Sequence, residues 1–349
     1  MIDSAFYESN LLIIEICVLF CLLVNLYNFF RYIFTRPRSF AHTRRVETLK
    51  RILSAPSNAA HLTWLLERNT YLQALLEALQ QRGEEGVSEE ARQLVGRSVN
   101  ENLFRYSRRD DAVRALAVNI GSLSGLDSTE FRRFLTDCIH RQPVYLRVAS
   151  LRACAALGSR QFLLEAFKEL EGYPQHYGVK LLTDVLLLYR GDFRLLAGAI
   201  LDEVPSYHPN LICALLSAMI RLGETAFSKR ILSLMKDAET DGEIRIAAIK
   251  YFGALPYRPA QKQISEFLGH EEWEYAAMAA RSLESYSCRS CGDQLLRCLS
   301  SRNWYVRYNS AATLASRRPD LVGEALNSSD RYARNIMQYA INVKEAATV

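Results

Sequence analysis

The sequence predicts an all-α chain: an α-solenoid of about eight helix pairs behind a single membrane-spanning helix. Three observations predict it. An apolar residue, then a basic one, then a run of small residues recurs along most of the chain at nearly constant spacing. No stretch alternates apolar and polar residues as a half-buried strand does. Residues 11–34 form one continuous apolar stretch, long enough to cross a bilayer.

That stretch, LLIIEICVLFCLLVNLYNFFRYIF, has 24 residues. As a helix it spans about 36 Å, enough for a hydrocarbon core of about 30 Å with some tilt. Asp3 and Glu8 precede it and Glu15 lies within it, whereas Arg31, Arg36, Arg38, Arg44, Arg45, Lys50 and Arg51 sit at or after its end. This asymmetry predicts a single-pass anchor in the cell membrane, with the N-terminus outside and the rest cytoplasmic. Acidic residues before the run and the lack of a small-residue cleavage site argue against a cleaved signal peptide. Glu15, Val18, Leu22, Asn25 and Phe29 recur at three- and four-residue steps and share one helix face. An acid and an amide on one stripe are costly in lipid and are relieved by a partner helix. The collar of Arg31, Arg36, Arg38, Arg44 and Arg45 sets topology and meets the anionic lipid bilayer.

Residues 35–58 read as a basic juxtamembrane linker containing a short helix. Residues 59–86 read as a helical cap: Leu62, Leu65, Leu66, Leu72, Leu75, Leu76 and Leu79 form an amphipathic pattern that ends at Gly83-Glu84-Glu85-Gly86. Repeats fill residues 87–344, and 345–349 are a tail. The apolar-basic pair appears as Val113-Arg114, Leu146-Arg147, Val179-Lys180, Ile244-Arg245, Val306-Arg307 and Ala333-Arg334. Ile212 and Ala277 stand where two further copies would carry the basic residue, and successive steps are 27 to 33 residues. A fixed period of that size marks stacked supersecondary units. Neither helix of a pair buries its apolar face alone, so the stack is the folding unit.

The D-x-x-V-R-x-x-A-A-x-x-L character of the second helices resembles HEAT repeats, and most of all the short bacterial type called PBS-lyase HEAT-like. The resemblance covers about 87–344. It implies a right-handed solenoid in which the arginine bonds an aspartate near the start of the same or an adjacent helix; Asp110, Asp241 and Asp330 suit that role. Some HEAT-like proteins are lyases or nucleic-acid-processing enzymes, so an enzyme or small-ligand-binding protein is the alternative.

The residues themselves offer little chemistry. The chain has no G-x-x-x-x-G-K-[ST], G-x-G-x-x-G or H-E-x-x-H motif, and its six histidines are scattered. Cys288, Cys291 and Cys298, with His270 upstream, have partial zinc-ligand spacing. Cys291 and Cys298, seven apart, also fit two buried positions of one helix, and this packing reading is preferred over a metal site. The expectation is therefore no enzyme, no cofactor and no metal. The net charge of +5 is concentrated in the collar rather than spread over the repeats, so no nucleic-acid partner is expected.

Aromatic residues cluster where the second helices begin: Tyr145, His176-Tyr177, His208, Trp273, Tyr275, Trp304, Tyr305 and Tyr332. With Arg307 and Tyr308 they make a candidate protein-binding strip, because Tyr, Trp and Arg dominate interface hot spots. The sequence thus predicts a membrane-anchored scaffold or adaptor. Its partner would be a membrane-associated protein, an integral-membrane enzyme such as a glycosyltransferase, or a transporter.

Overall fold

The computed structural model describes residues 40–54, 59–83, 86–171, 177–287 and 290–346. The apolar stretch 11–34, its face residues Glu15, Val18, Leu22, Asn25 and Phe29, the collar residues Arg31, Arg36 and Arg38, and His176 and Cys288 lie outside them. Among the described residues no strand occurs, and no helix is long and apolar enough to cross a membrane. The chain is an all-helical repeat protein whose contacts divide it into two compact units, the first ending at Ala153 and the second starting at Cys154.

Among the described residues the first unit opens with helix α1, residues 40–54, inside the stretch read as linker. Val46, Leu49 and Leu53 follow a helical spacing and are buried, so this segment is part of the core. After it come α2 (Ala59–Leu66), α3 (Asn69–Arg82), α4 (Glu89–Tyr106), α5 (Asp111–Leu123), α6 (Thr129–Ile139) and α7 (Val144–Ala156), the last crossing the unit boundary. Arg82 of α3 donates to the Lys50 carbonyl of α1 at 2.9 Å, and Glu77 pairs with His42 at 2.6 Å. Alternate helices pack side by side, α2 on α4, α4 on α6 and α3 on α5, which is the pattern of stacked pairs. Caps start the helices as sequence chemistry requires. The Ser88, Asp110 and Ser128 side chains accept from the amides of Ala91, Val113 and Phe131.

The second unit continues with α8 (Arg160–Glu171), α9 (Val179–Leu187), α10 (Phe193–Asp202), α11 (Pro209–Leu222), α12 (Ser228–Lys236) and α13 (Gly242–Ala254). It ends with α14 (Gln261–Glu266), α15 (Trp273–Ser282), α16 (Gly292–Cys298), α17 (Trp304–Arg317), α18 (Pro319–Leu326) and α19 (Arg331–Ala346). The second helices form one row, α9, α11, α13, α15, α17 and α19, each packed on the next. Their small residues explain the close approach. A Cβ at Gly253 of α13 would stand 2.5 Å from Ser282 Oγ and 3.0 Å from the Ser282 Cα, so only glycine fits. Small polar side chains on one helix donate to backbone carbonyls of the helix before it. Ser282 Oγ reaches Ile249 O at 3.0 Å, Asn309 Nδ2 reaches Ala277 O at 2.8 Å, and Thr313 Oγ1 reaches Ala280 O at 2.7 Å. Asn309, Ala311 and Thr313 belong to the small-residue stretch after Val306-Arg307.

The repeated arginine is placed as expected, with Asp111 3.9 Å from Arg114 and Asp330 in the field of Arg307, but its hydrogen bonds go mostly elsewhere. Asp110, Asp241 and Asp330 cap their own helices, accepting from the amides of Val113, Glu243 and Tyr332 at 2.8 to 2.9 Å. Asp330 also bonds the Ser300 side chain. The arginines turn back to carbonyls of the loop before their helix. Arg307 Nη1 reaches Ser301 O at 2.7 Å, Arg334 Nη1 reaches Ser328 O at 2.7 Å, and Arg147 Nη2 reaches Gln142 O at 2.7 Å. These carbonyls lie in the turn after the first helix and lack helical partners, and Arg307 and Arg334 each reach two of them, the second being Arg302 O and Ser329 O at 3.0 Å. Arg114 does this and also meets a carboxylate, Asp137 of the following helix, at 2.6 Å.

Candidate protein-binding surface

The aromatic side chains at the starts of the second helices divide by what covers them. Asn303 Oδ1 accepts from Tyr305 N at 2.8 Å and Asp330 Oδ1 from Tyr332 N at 2.8 Å, capping α17 and α19, while His270 Nδ1 accepts from Glu272 N at 3.2 Å in the turn before α15. Tyr275, Tyr305 and Tyr332 occupy the same position, two residues before the repeated arginine site. Arg245 of the preceding repeat lies over Tyr275, 5.2 Å from its ring centre, and Phe267 and His270 pack on the same ring. Arg307 lies over Tyr332 at 5.4 Å. Ala277 stands where the arginine over Tyr305 would be, and Trp273 stacks on Tyr305 instead, with ring centres 5.7 Å apart.

From Trp273 the rings continue through Tyr305 to Trp304 (5.2 Å, edge-on), from Trp304 to Tyr308 (5.0 Å, interplanar angle 4°) and from Tyr308 to Tyr339 (5.8 Å). Trp273, Trp304, Tyr305, Tyr332 and Tyr339 are each at least 41% exposed. The result is an unbroken run of rings across α15, α17 and α19, held by mutual stacking rather than by burial. Arg307 is half-buried and tied to Ser301 O and Arg302 O, so its guanidinium is fixed beside the run.

Two residues assigned to the strip from the sequence do not belong to it. Tyr275 is 2% exposed and packs beneath Arg245. Tyr177 is 8% exposed and lines a small, partly open pocket with Phe167, Leu182 and His208. His208 is half-buried and serves as a cap, its Nδ1 accepting from Asn210 N at 3.1 Å. Tyr145 is exposed, in the first unit. Tyr339 escaped the sequence reading because it lies outside a helix start; its seven-residue separation from Tyr332 was the available signal, placing both on one face of α19. Arg44 and Arg45 of the collar lie against Phe40 and Tyr71, at 4.5 and 5.7 Å from the ring centres.

Among the described residues no group of three His, Cys, Asp or Glu side chains is placed to hold a metal ion. Cys291 and Cys298 are buried, and Cys298 Sγ donates to Leu268 O at 3.5 Å. Burial pushes the Cys138 and Cys213 thiols up to about 12.

No protein-family model matches the chain, and no curated protein matches it. Similar solved structures include human deoxyhypusine hydroxylase in complex with glycerol, at 14% identity. The match covers 88% of this chain and 98% of that one, with a TM-score of 0.30. An engineered protein is similar at 16% identity over 85% of this chain and 88% of its own, with a TM-score of 0.28. At these scores neither likeness carries an argument about function. The expectation that this chain is no enzyme is withdrawn: one of these similar structures is a hydroxylase by name, which is said of that protein alone.

Proposed function

We propose that the chain is a membrane-anchored, HEAT-like scaffold or adaptor whose right-handed solenoid binds a protein partner through the exposed rings of α15, α17 and α19. One observation supports this above the others: four half-exposed side chains, Trp273, Trp304, Tyr305 and Tyr339, join through Tyr308 into one run of rings across three successive repeats. Rings of this kind, with two torsions each and already fixed by stacking, lose little entropy on binding. The apolar stretch 11–34 and its basic flank support an anchor in the cell membrane with the repeats on the cytoplasmic side. A membrane-associated partner then meets both anchor and solenoid, and the second contact forms at high effective concentration.

The test is a detergent pull-down with the native chain and with Trp304→Ala/Tyr305→Ala, bound proteins being identified by mass spectrometry. The reading expects a defined membrane protein held by the native chain and lost from the variant, whose helicity is unchanged. Equal retention by both would overturn it. The alternative, a HEAT-like enzyme or small-ligand-binding protein, separates in the same preparation, because its activity or ligand survives loss of the rings.

A further inference from the structure

A cleft of about 540 Å3 opens in the second unit at the edge of the stack where the turns after α10 and α12 lie. Its floor is apolar, made by Leu201, Val204, Leu234 and Ile244. Its rim is acidic. Asp237, Glu239 and Asp241 are all exposed and follow one another along the turn before α13. Asp237 accepts from the Glu239 amide and the Thr240 hydroxyl, and Asp241 from the Glu243 amide, so both carboxylates are oriented by the backbone. The cleft also contains Arg230, but that cation is engaged: its guanidinium meets Asp202 at 2.5 Å and the Leu201 carbonyl. Three negative charges therefore surround an apolar floor of drug-pocket size.

We infer that this cleft binds a basic peptide segment, an extended stretch whose aliphatic side chain fills the floor while flanking Lys or Arg side chains meet Asp237, Glu239 and Asp241. Charge complementarity selects this occupant. The rim repels anionic lipid and nucleic acid, and a bare polyamine leaves the apolar floor unfilled. The site is separate from the exposed rings and does not depend on them.

The experiment uses the full chain in detergent and two short fluorescein-labelled peptides, one alternating lysine and leucine, the other glutamate and leucine, followed by fluorescence anisotropy at low and high salt. The lysine peptide should saturate the chain, weaken as salt screens the rim, and outcompete the glutamate peptide. Asp237→Asn/Glu239→Gln/Asp241→Asn removes the charge but keeps the caps, since Asn caps as well as Asp. It should weaken the lysine peptide at least about tenfold at low salt. Leu234→Ala should weaken it without changing the salt dependence. Failure of the lysine peptide to saturate by about 1 mM, equal binding of both peptides, or an unchanged affinity in the triple variant would each overturn the assignment. Any of these outcomes leaves the ring surface untouched.

Discussion

Arg114 provides the sharpest test of how the repeats are held. It is 2% exposed and donates three hydrogen bonds, to Ser107 O, to Arg109 O at 3.3 Å and to Asp137 at 2.6 Å, with the Asp111 carboxylate a looser neighbour at 3.9 Å. Replacing it with methionine keeps most of the stem volume, so little cavity forms and the loss is mainly hydrogen bonding. Each carbonyl loses a charged donor, worth about 1.5 kcal/mol at the low end. Asp137 is 52% exposed and rehydrates, so its pair adds less than about 1 kcal/mol. Removing a desolvated guanidinium returns part of this, leaving a net cost of about 2–3 kcal/mol. Repeat stacks need not unfold in one step, so the suitable assay is native-state hydrogen exchange at the amides of α5 and α6. Arg114→Met should speed their exchange roughly 30- to 150-fold. Asp137→Asn should speed it less than about fivefold. If Asp137→Asn matches Arg114→Met, the ion pair and not the loop carbonyls holds the turn, and the reasoning fails.

Other expected outcomes follow from single contacts. Gly253→Ala drives its Cβ into Ser282 and should lower the melting temperature by an overpacking cost of about 1–3 kcal/mol. Gly323→Ala, in open space within α18, should raise it slightly, by up to about 1 kcal/mol. Burial raises the Glu224 carboxyl, but hydrogen bonds from Arg194 and the amides of Ala226 and Thr225 outweigh it and hold it below the ordinary carboxylate range. Its folded value is thus the lower one, so its stabilisation is present above the unfolded carboxylate value and is lost as pH falls through the folded one. Urea midpoints between pH 7 and pH 3 should therefore fall more for the native chain than for Glu224→Gln. With their thiols pushed up to about 12 and buried, Cys138 and Cys213 should resist iodoacetamide at pH 8 until denaturant is added, as mass spectrometry would show.

The helical layout was legible because it rests on local rules. The positions of Val113-Arg114 through Ala333-Arg334 mark second helices, and Ser88, Asp110, Ser128 and Asn303 cap helices as their chemistry dictates. The strip was legible only in part. Tyr275 and Tyr332 share one repeat position and each lies under an arginine of the preceding repeat, yet one is buried and the other exposed, so position in the repeat does not fix exposure. The arginine's carbonyl partners were also illegible, because a loop's backbone carries no side-chain signature. The acidic cleft escaped for a related reason: Leu201 and Val204 lie 30 to 43 residues before Leu234 and Ile244 and meet them only when neighbouring pairs stack.

The central claim is that the exposed rings are where a partner binds, and site-specific photocrosslinking in cells tests it most directly. A benzophenone side chain placed at position 305 or 339 replaces a ring of the run, and one at 104 replaces Phe104, which is exposed on the first unit. Illumination should yield the same discrete adduct from 305 and 339 and none from 104. Adducts of equal yield from all three positions, or none from 305 and 339, would contradict the account.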